Sequence, residues 1–455
     1  MKKSYEMDMC NGPIFGKLLV FALPLMLSGI LQLLFNAADI VVVGKFSGSR
    51  ALAAVGSTGA LINLFVNVFI GFSIGTNVLV AQYFGARDEK NVHETVHTSI
   101  LLGIVGGFIL IVAGMVFAKP MLEWMDTPED VLSHAVLYMR IYFIGMPAML
   151  VYNFGAAILR AIGDTRRPLY YLLSAGVINV ILNLFFVIVL DMGVAGVATA
   201  TVISQIVSAI LIVRCLMHSD GIYRLDLHEL KIYKRKMVHI AKIGLPAGVQ
   251  GAVFSLSNVL IQSSVNSFGS IAMAGNTAAG NIEGFVYTSM NAVYQTALSF
   301  TSQNVGGERQ DRIPKIVFQC LAIVTVVGAV LGNLAYQCGP FLLNIYSSDP
   351  EVIQYGMSRM QIICQWYFLC GIMDVAVGIL RGMGYSVMPM LVSLAGACGL
   401  RVLWIFTVFV WKHSLFVLYL SYPITWTITL AVHFICFFVI WKRKKGAWAM
   451  VKVAE

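Results

Sequence analysis

The sequence predicts an all-α integral membrane protein: twelve transmembrane helices in two six-helix bundles related by a parallel internal repeat. Three observations predict it. Of 455 residues, 58% are hydrophobic and 12% charged, against about 25% charged in soluble domains. Apolar runs long enough for the roughly 20 residues that a spanning helix needs recur along the chain. Three separate anchors of the first half return in the second at nearly one offset.

The first run, residues 18–43, follows a polar stretch over 1–12. It is too long for a cleaved signal and has no small-residue cleavage pattern after it, so it is expected to stay as the first span. The others are 52–83, 97–118, 131–157, 170–190, 194–216, 237–266, 271–302, 315–336, 352–380, 387–410 and 415–441. The second, seventh and eighth exceed what a bilayer requires, which predicts tilt, kinks or ends projecting into water. Kinks are expected near Pro24, Pro147 and Pro246. Residues 218–236 are the longest polar stretch, too short for a domain, with a basic character suited to anionic headgroups. The expected organisation is an amino-terminal lobe (1–217), a cytoplasmic linker (218–236) and a carboxy-terminal lobe (237–455).

The repeat is read from three anchors. Ile158, Leu159 and Arg160 with Gly163 and Pro168 return as Ile379, Leu380 and Arg381 with Gly384 and Pro389, 221 residues on. Pro24, Gly29 and Asn36 return as Pro246, Gly251 and Asn258, 222 on, and Gln82 and Gly85 as Gln303 and Gly306, 221 on. Six spans per half is an even number, so both halves enter from one side and the repeat is parallel.

Net charge is +9, and its distribution sets orientation. One set of loops carries Lys2, Lys3, Lys17, Arg87, Lys90, Arg160, Arg166, Arg167, the cluster from Arg214 to Lys242, Arg309, Arg312, Lys315, Arg381 and Lys442 to Lys445. The opposite loops carry Glu123, Asp126, Glu129, Asp130, Asp349 and Glu351. A multi-pass protein of the cell membrane with both termini cytoplasmic is expected. The eight cysteines are scattered, with no CxxC pair and no Cys/His cluster at metal spacing, and read as small buried apolar residues.

A carboxylate inside a span costs a few kcal/mol or more and marks a site. Asp39 is such a residue, and Gln32, Asn36 and Asp39 share one helix face. Asn179 and Asn183 share a face of the fifth span, and Thr201, Gln205 and Ser208 a face of the sixth. Together they suggest a hydrated cation or proton pocket: Asp39, Asn36, Asn179, Asn183 and Thr201. The place of Asp39 is taken by Ile261 in the second half, so this carboxylate belongs to the first half alone. Glu283, between Gly280 and Gly284, is either a second acidic or substrate site, with Gln32, Asn258 and Gln262, or structurally paired. Asp374, Arg381 and Arg401 are read as a structural ion pair. Methionines and aromatics are suited to an adaptable cavity for apolar guests. No GxxxxGK[ST] occurs; Gly71 to Gly75 fits GxSxG but lies in an apolar helix, not at a strand-to-helix elbow. An enzyme is not expected, nor any nucleic-acid partner or cofactor.

Over residues 14–442 the chain resembles the multidrug and toxic compound extrusion family. The resemblance is carried by Pro24 through Asn36 and Asp39 to Gly44, by Ala81 to Gly85, by Leu159 and Arg160 with Gly163 and Asp164, and by their repeats. It implies two six-helix lobes around a central cleft and export of amphipathic, often cationic compounds driven by entry of protons or sodium ions. By position Asp39, Asn179 and Thr201 match the family's cation cluster, which makes sodium at Asp39 one candidate. Asn183 departs from it, since many relatives hold a second carboxylate there, and Phe254 and Ser255 replace an acid of the seventh helix. Glu283 is typical of a bacterial branch. A cation-coupled antiporter working by alternating access, as a monomer in the bilayer, is the expected function. The alternatives are a flippase for lipid-linked oligosaccharides, against which the mixed intramembrane charges speak, and a receptor or scaffold, which needs neither repeat nor buried carboxylates.

Overall fold

The computed structural model describes residues 5–125 and 127–454. Lys2, Lys3 and Asp126, and the side chains of Lys444 and Lys445, all used in reading the loop charges, lie outside the described residues. The first seven helices are α1 (Ile14–Phe46), α2 (Gly48–Gly85), α3 (Glu89–Trp124), α4 (Glu129–Ile144), α5 (Met146–Ala161), α6 (Arg166–Leu184) and α7 (Gly193–Met217). They are followed by α8 (Lys234–Asn266), α9 (Ser270–Gly306), α10 (Ile313–Gln337), α11 (Gly339–Asn344), α12 (Pro350–Gly382), α13 (Val387–Ser393), α14 (Arg401–Trp404) and α15 (Leu415–Ala454). Three π-helical pieces, Phe185–Val189, Leu394–Leu400 and Ile405–Phe409, continue α6 and flank α14.

Every predicted span has its helix. By length and composition ten helical stretches among the described residues can cross a membrane. An eleventh span is α4 with α5, bent by 48° at Gly145. The bend falls where Pro147 opens α5, a position where its missing N–H costs no hydrogen bond. The remaining span is α9: 37 residues long, but more polar, because Glu283 and a series of amides and hydroxyls lie along it. Outward faces are apolar: Phe108, Val112 and Val116 of α3 are 58%, 64% and 57% exposed at helical spacing. Such a stripe is stable against hydrocarbon, not water.

The chain forms two compact units, Met1–Ser255 with Ser302–Gln310, and Leu256–Thr301 with Asp311–Glu455. In the first, α3 packs along α5, α2 and α4, and α1 along α6. Phe35 of α1 lies so close to Gly176 of α6 that a Cβ there would overlap its ring. Gly71 and Gly75 of α2 meet main-chain atoms of α8 at Gly244, Gly248 and Ile240. The GxSxG stretch is therefore a helix-crossing seam; the Ser73 hydroxyl donates to Ile70 O of its own helix at 2.7 Å. Asp88 caps α3 by accepting from the Asn91 backbone N–H at 3.1 Å. Residues 5–12 dock on this unit, with Met9 buried and its N–H donating to Gln303 Oε1 at 3.2 Å. The segment between α7 and α8 also folds back, burying Tyr223 and Leu225. In the second unit α12 packs along both α10 and α15.

The repeat reaches single backbone angles. Gly163 and Gly384 turn with φ of 95° and 92°, a region that favours glycine. Arg87 and Glu308 hold φ of 56° and 55° just after α2 and α9.

Candidate functional site

In the first unit α1, α6 and α7 bring a carboxylate and three polar side chains into one chain of hydrogen bonds. Asn183 Nδ2 donates to Asp39 Oδ1 and, at 3.3 Å, to Asn179 Oδ1. Asn179 Nδ2 in turn donates to Thr201 Oγ1 at 3.4 Å, and Thr201 donates to its own helix at Val197 O, 3.0 Å. Asn183 is fully buried and Asn179 is 5% exposed. Asn183 Oδ1 is buried without a hydrogen-bond partner. Tyr138 and Tyr142 of α4 stand within electrostatic reach of Asp39, and Tyr142 reaches the Gln205 amide. Asp39 makes no ion pair among the described residues; its one hydrogen-bonding side chain is Asn183. A lone carboxylate in a span, beside an orphaned amide oxygen, can accept a proton or take a small cation; either removes a charge that burial makes costly. The cluster ends where α6 passes into the π-helical Phe185–Val189, an irregularity often found beside functional residues.

The predicted residues are only partly gathered. Asp39, Asn179, Asn183 and Thr201 meet; Asn36 and Gln32 are exposed on α1 and stay outside the hydrogen-bonded chain, and Asn258 is exposed on α8. In the second unit Gln262 Oε1 accepts from Asn276 Nδ2 at 2.7 Å. Asn276 Oδ1 accepts from Arg359 at 2.7 Å and from Tyr419 at 3.2 Å. Arg359 grips Glu283 with two parallel bonds, Nε to Oε1 at 2.9 Å and Nη2 to Oε2 at 2.7 Å. Glu283 is buried and Arg359 half-buried in the helix packing, and the pair is formally neutral. Arg359 is the residue that the sequence reading missed. The signal was present, a basic residue inside the apolar tenth span, but nothing local tied it to Glu283, 76 residues away.

Asp374 faces the Tyr287 hydroxyl and the Arg381 charge, while Arg381 also donates to Tyr294 at 2.8 Å. Arg401 makes no ion pair with Asp374 among the described residues: it donates to Thr425 at 3.3 Å and stacks 4.1 Å over the Tyr422 ring. Tyr422 also borders Arg359, 5.7 Å away, and packs edge-on against Trp426, which stacks on Tyr367 at 5.5 Å. Flat aromatic faces thus surround the charges of the second unit.

A profile described as MatE matches the chain twice, over residues 24–185 and 246–407. This chain belongs to the MatE family. The two matched stretches begin 222 residues apart, the spacing of the Pro24 and Pro246 anchors. MatE proteins are transporters, not enzymes, and this chain is a multi-pass membrane protein. It is 28% identical over 446 residues, 95% of each chain, to the probable multidrug resistance protein YoeA of Bacillus subtilis. It is 24% identical to the probable multidrug resistance protein NorM of Thermotoga maritima, over 83% of this chain and 82% of that one. To multidrug export protein MepA of Staphylococcus aureus it is 20% identical over 82% and 83%. Among solved structures, an outward-facing multidrug resistance MATE family transporter of the MOP superfamily superposes with a TM-score of 0.91 at 19% identity, covering 98% of this chain and 100% of that one. A MOP superfamily transporter from Pyrococcus furiosus gives 0.91 at 19%, with the same coverage. At such identity the likeness is one of fold: the MatE architecture of twelve membrane helices.

Proposed function

We propose that this chain is a secondary active antiporter that exports amphipathic, cationic compounds in exchange for protons or sodium ions by alternating access. The observation that carries the reading is Asp39, set against Asn183 in a membrane helix and, among the described residues, without a cationic partner. The names of the relatives, multidrug resistance and multidrug export proteins, supply the substrate class. In this reading Asp39, Asn183, Asn179 and Thr201 hold the coupling ion, with the orphaned Asn183 Oδ1 offering a further oxygen. Asn36 and Gln32, exposed on the same helix, lie on the approach to it. Loading changes the charge of a low-dielectric site and so biases two conformations; shifting them from 1:99 to 99:1 takes about 5.5 kcal/mol of differential affinity.

The halves 1–217 and 237–455 act as the two lobes, joined by 218–236, in a monomer with both termini cytoplasmic; the loop charges support that orientation. The aromatic faces around Tyr367, Tyr422 and Trp426 suit flat lipophilic cations. Arg359 pairs with Glu283 and Arg381 faces Asp374, so in this reading the aromatic faces, rather than a free carboxylate, receive the cation. Gln262 borders that region through Asn276, and Asn258, one turn earlier on α8, is exposed. The mixture of acids and bases disfavours a flippase for lipid-linked pyrophosphates.

The test is efflux of a fluorescent lipophilic cation from proteoliposomes under separately imposed proton and sodium gradients. Wild type is expected to respond to one gradient. Asp39→Asn, inserted to the same level, is expected to lose that response. Undiminished gradient-driven efflux in Asp39→Asn would overturn the role of Asp39, and no efflux in wild type under either gradient would overturn the antiporter.

A further inference from the structure

A second group of ligating side chains lies at the first turns of α3, away from Asp39. His93 and His97 are one helical turn apart, and Glu229 is delivered by the short turn Leu227–Glu229 between α7 and α8. Residues His93 to His97 fit HExxH, a spacing that sets two imidazoles on one helix face, while the third group, Glu229, lies 132 residues further along the chain. In the fold, one ligand atom from each of the three lies within 4.8 Å of the other two. His93 Nε2 stands 2.8 Å from Glu229 Oε2. The imidazole rings face each other at 4.0 Å between centroids.

The buried His97 is oriented as a metal ligand is. Its Nδ1 pairs with His93 O at 2.8 Å, which leaves Nε2 with the lone pair. Metal-bound histidines are held in this way, through a backbone carbonyl on the other ring nitrogen. That lone pair now accepts from the Asp226 N–H at 3.0 Å. Tetrahedral zinc, with bonds of about 2.0–2.1 Å, sets its ligand atoms about 3.4 Å apart. The His93–Glu229 separation is already shorter than that. Binding displaces the Asp226 N–H from His97 and draws together ligand atoms that now lie within 4.8 Å of one another.

We propose that His93, His97 and Glu229 form a site for a divalent transition-metal cation of the zinc type. Two neutral imidazoles and one carboxylate are borderline ligands that favour zinc over the oxygen-seeking magnesium. Binding fastens the turn onto α3, reinforcing contacts that already run along it: the Tyr233 N–H to Thr98 Oγ1 at 3.2 Å and the Lys236–Glu94 pair at 3.8 Å. The site thus couples metal availability to the segment joining the two repeats.

The test is zinc titration by calorimetry of the full chain in nanodiscs, with any purification tag removed and magnesium as the control. One zinc per chain is expected, removed by chelator, with X-ray absorption giving two imidazoles and oxygen in its coordination shell. His93→Ala and Glu229→Gln, both at accessible positions, are expected to weaken zinc by at least the roughly 10- to 100-fold that loss of a mere supporting partner costs. No stoichiometric zinc, wild-type affinity in both variants, or sulfur in the shell, as from the exposed Cys338, would each overturn the proposal.

Discussion

Asp39 and Glu283 show two ways of keeping a carboxylate inside a membrane. Asp39 has an amide beside it and, among the described residues, no counter-ion, so its charge can come and go. Glu283 is 3% exposed and held bidentately by Arg359, so its charge is fixed and cancelled. Removing one member of such a pair strands the other, at about 3–5 kcal/mol. Arg359→Gln is therefore expected to lower the thermal unfolding temperature well below that of the double variant Glu283→Gln with Arg359→Gln. A double variant at least as damaged as the single would contradict the pairing. Helical spacing made Asp39, Asn179, Asn183 and Thr201 legible, because residues that share a face can be read from their numbers. It could not tell which helix stands opposite. For that reason Gln32 and Asn36, on the stripe of Asp39, end exposed, and Arg359 went unassigned.

At the scale of elements, the apolar runs located the spans because bilayer thickness sets their length. Internal irregularity was less legible. The fourth span reads as one run, yet it breaks at Gly145 with Pro147 just beyond. The eleventh is a succession of α- and π-helical turns around Arg401, which no hydrophobic pattern encodes. Close approach of α1 and α6 is what lets Asn183 reach Asp39, and Gly176 permits it. Gly176→Ala is expected to cost about 1–3 kcal/mol through overpacking against Phe35. Because it also displaces α6, it should raise the ion concentration needed for half-maximal efflux. A stable variant with unchanged ion dependence would place the Asp39 cluster beyond the influence of that contact.

For the whole molecule the governing fact is duplication. Gln82 and Gly85 correspond to Gln303 and Gly306, and the contacts are reciprocal: a Cβ on Gly85 would strike Gln303 O, and one on Gly306 would strike Gln82 O. A local two-fold relation between the ends of α2 and α9 follows. Gly85→Val and Gly306→Val are thus expected to lower the unfolding temperature by similar amounts, each overlap being with rigid main chain. A large difference between them would mean that the symmetry is one of sequence only. The two halves diverge where chemistry is carried: Asn36 and Asn258 are both exposed, but Asp39 corresponds to the buried Ile261.

The pairing of Glu283 with Arg359 also has a history in time. A ribosome makes α9 before α12, so Glu283 emerges many residues ahead of its partner. Until Arg359 arrives, α9 carries a naked acid near its middle, and a central charge costs a translocon about 2.5–3.5 kcal/mol. This helix, already the polar exception among the spans, is one that the machinery is poorly paid to release into lipid alone. That cost is avoided if α9 stays at the protein-lined channel until α12 emerges and Arg359 can pair with Glu283.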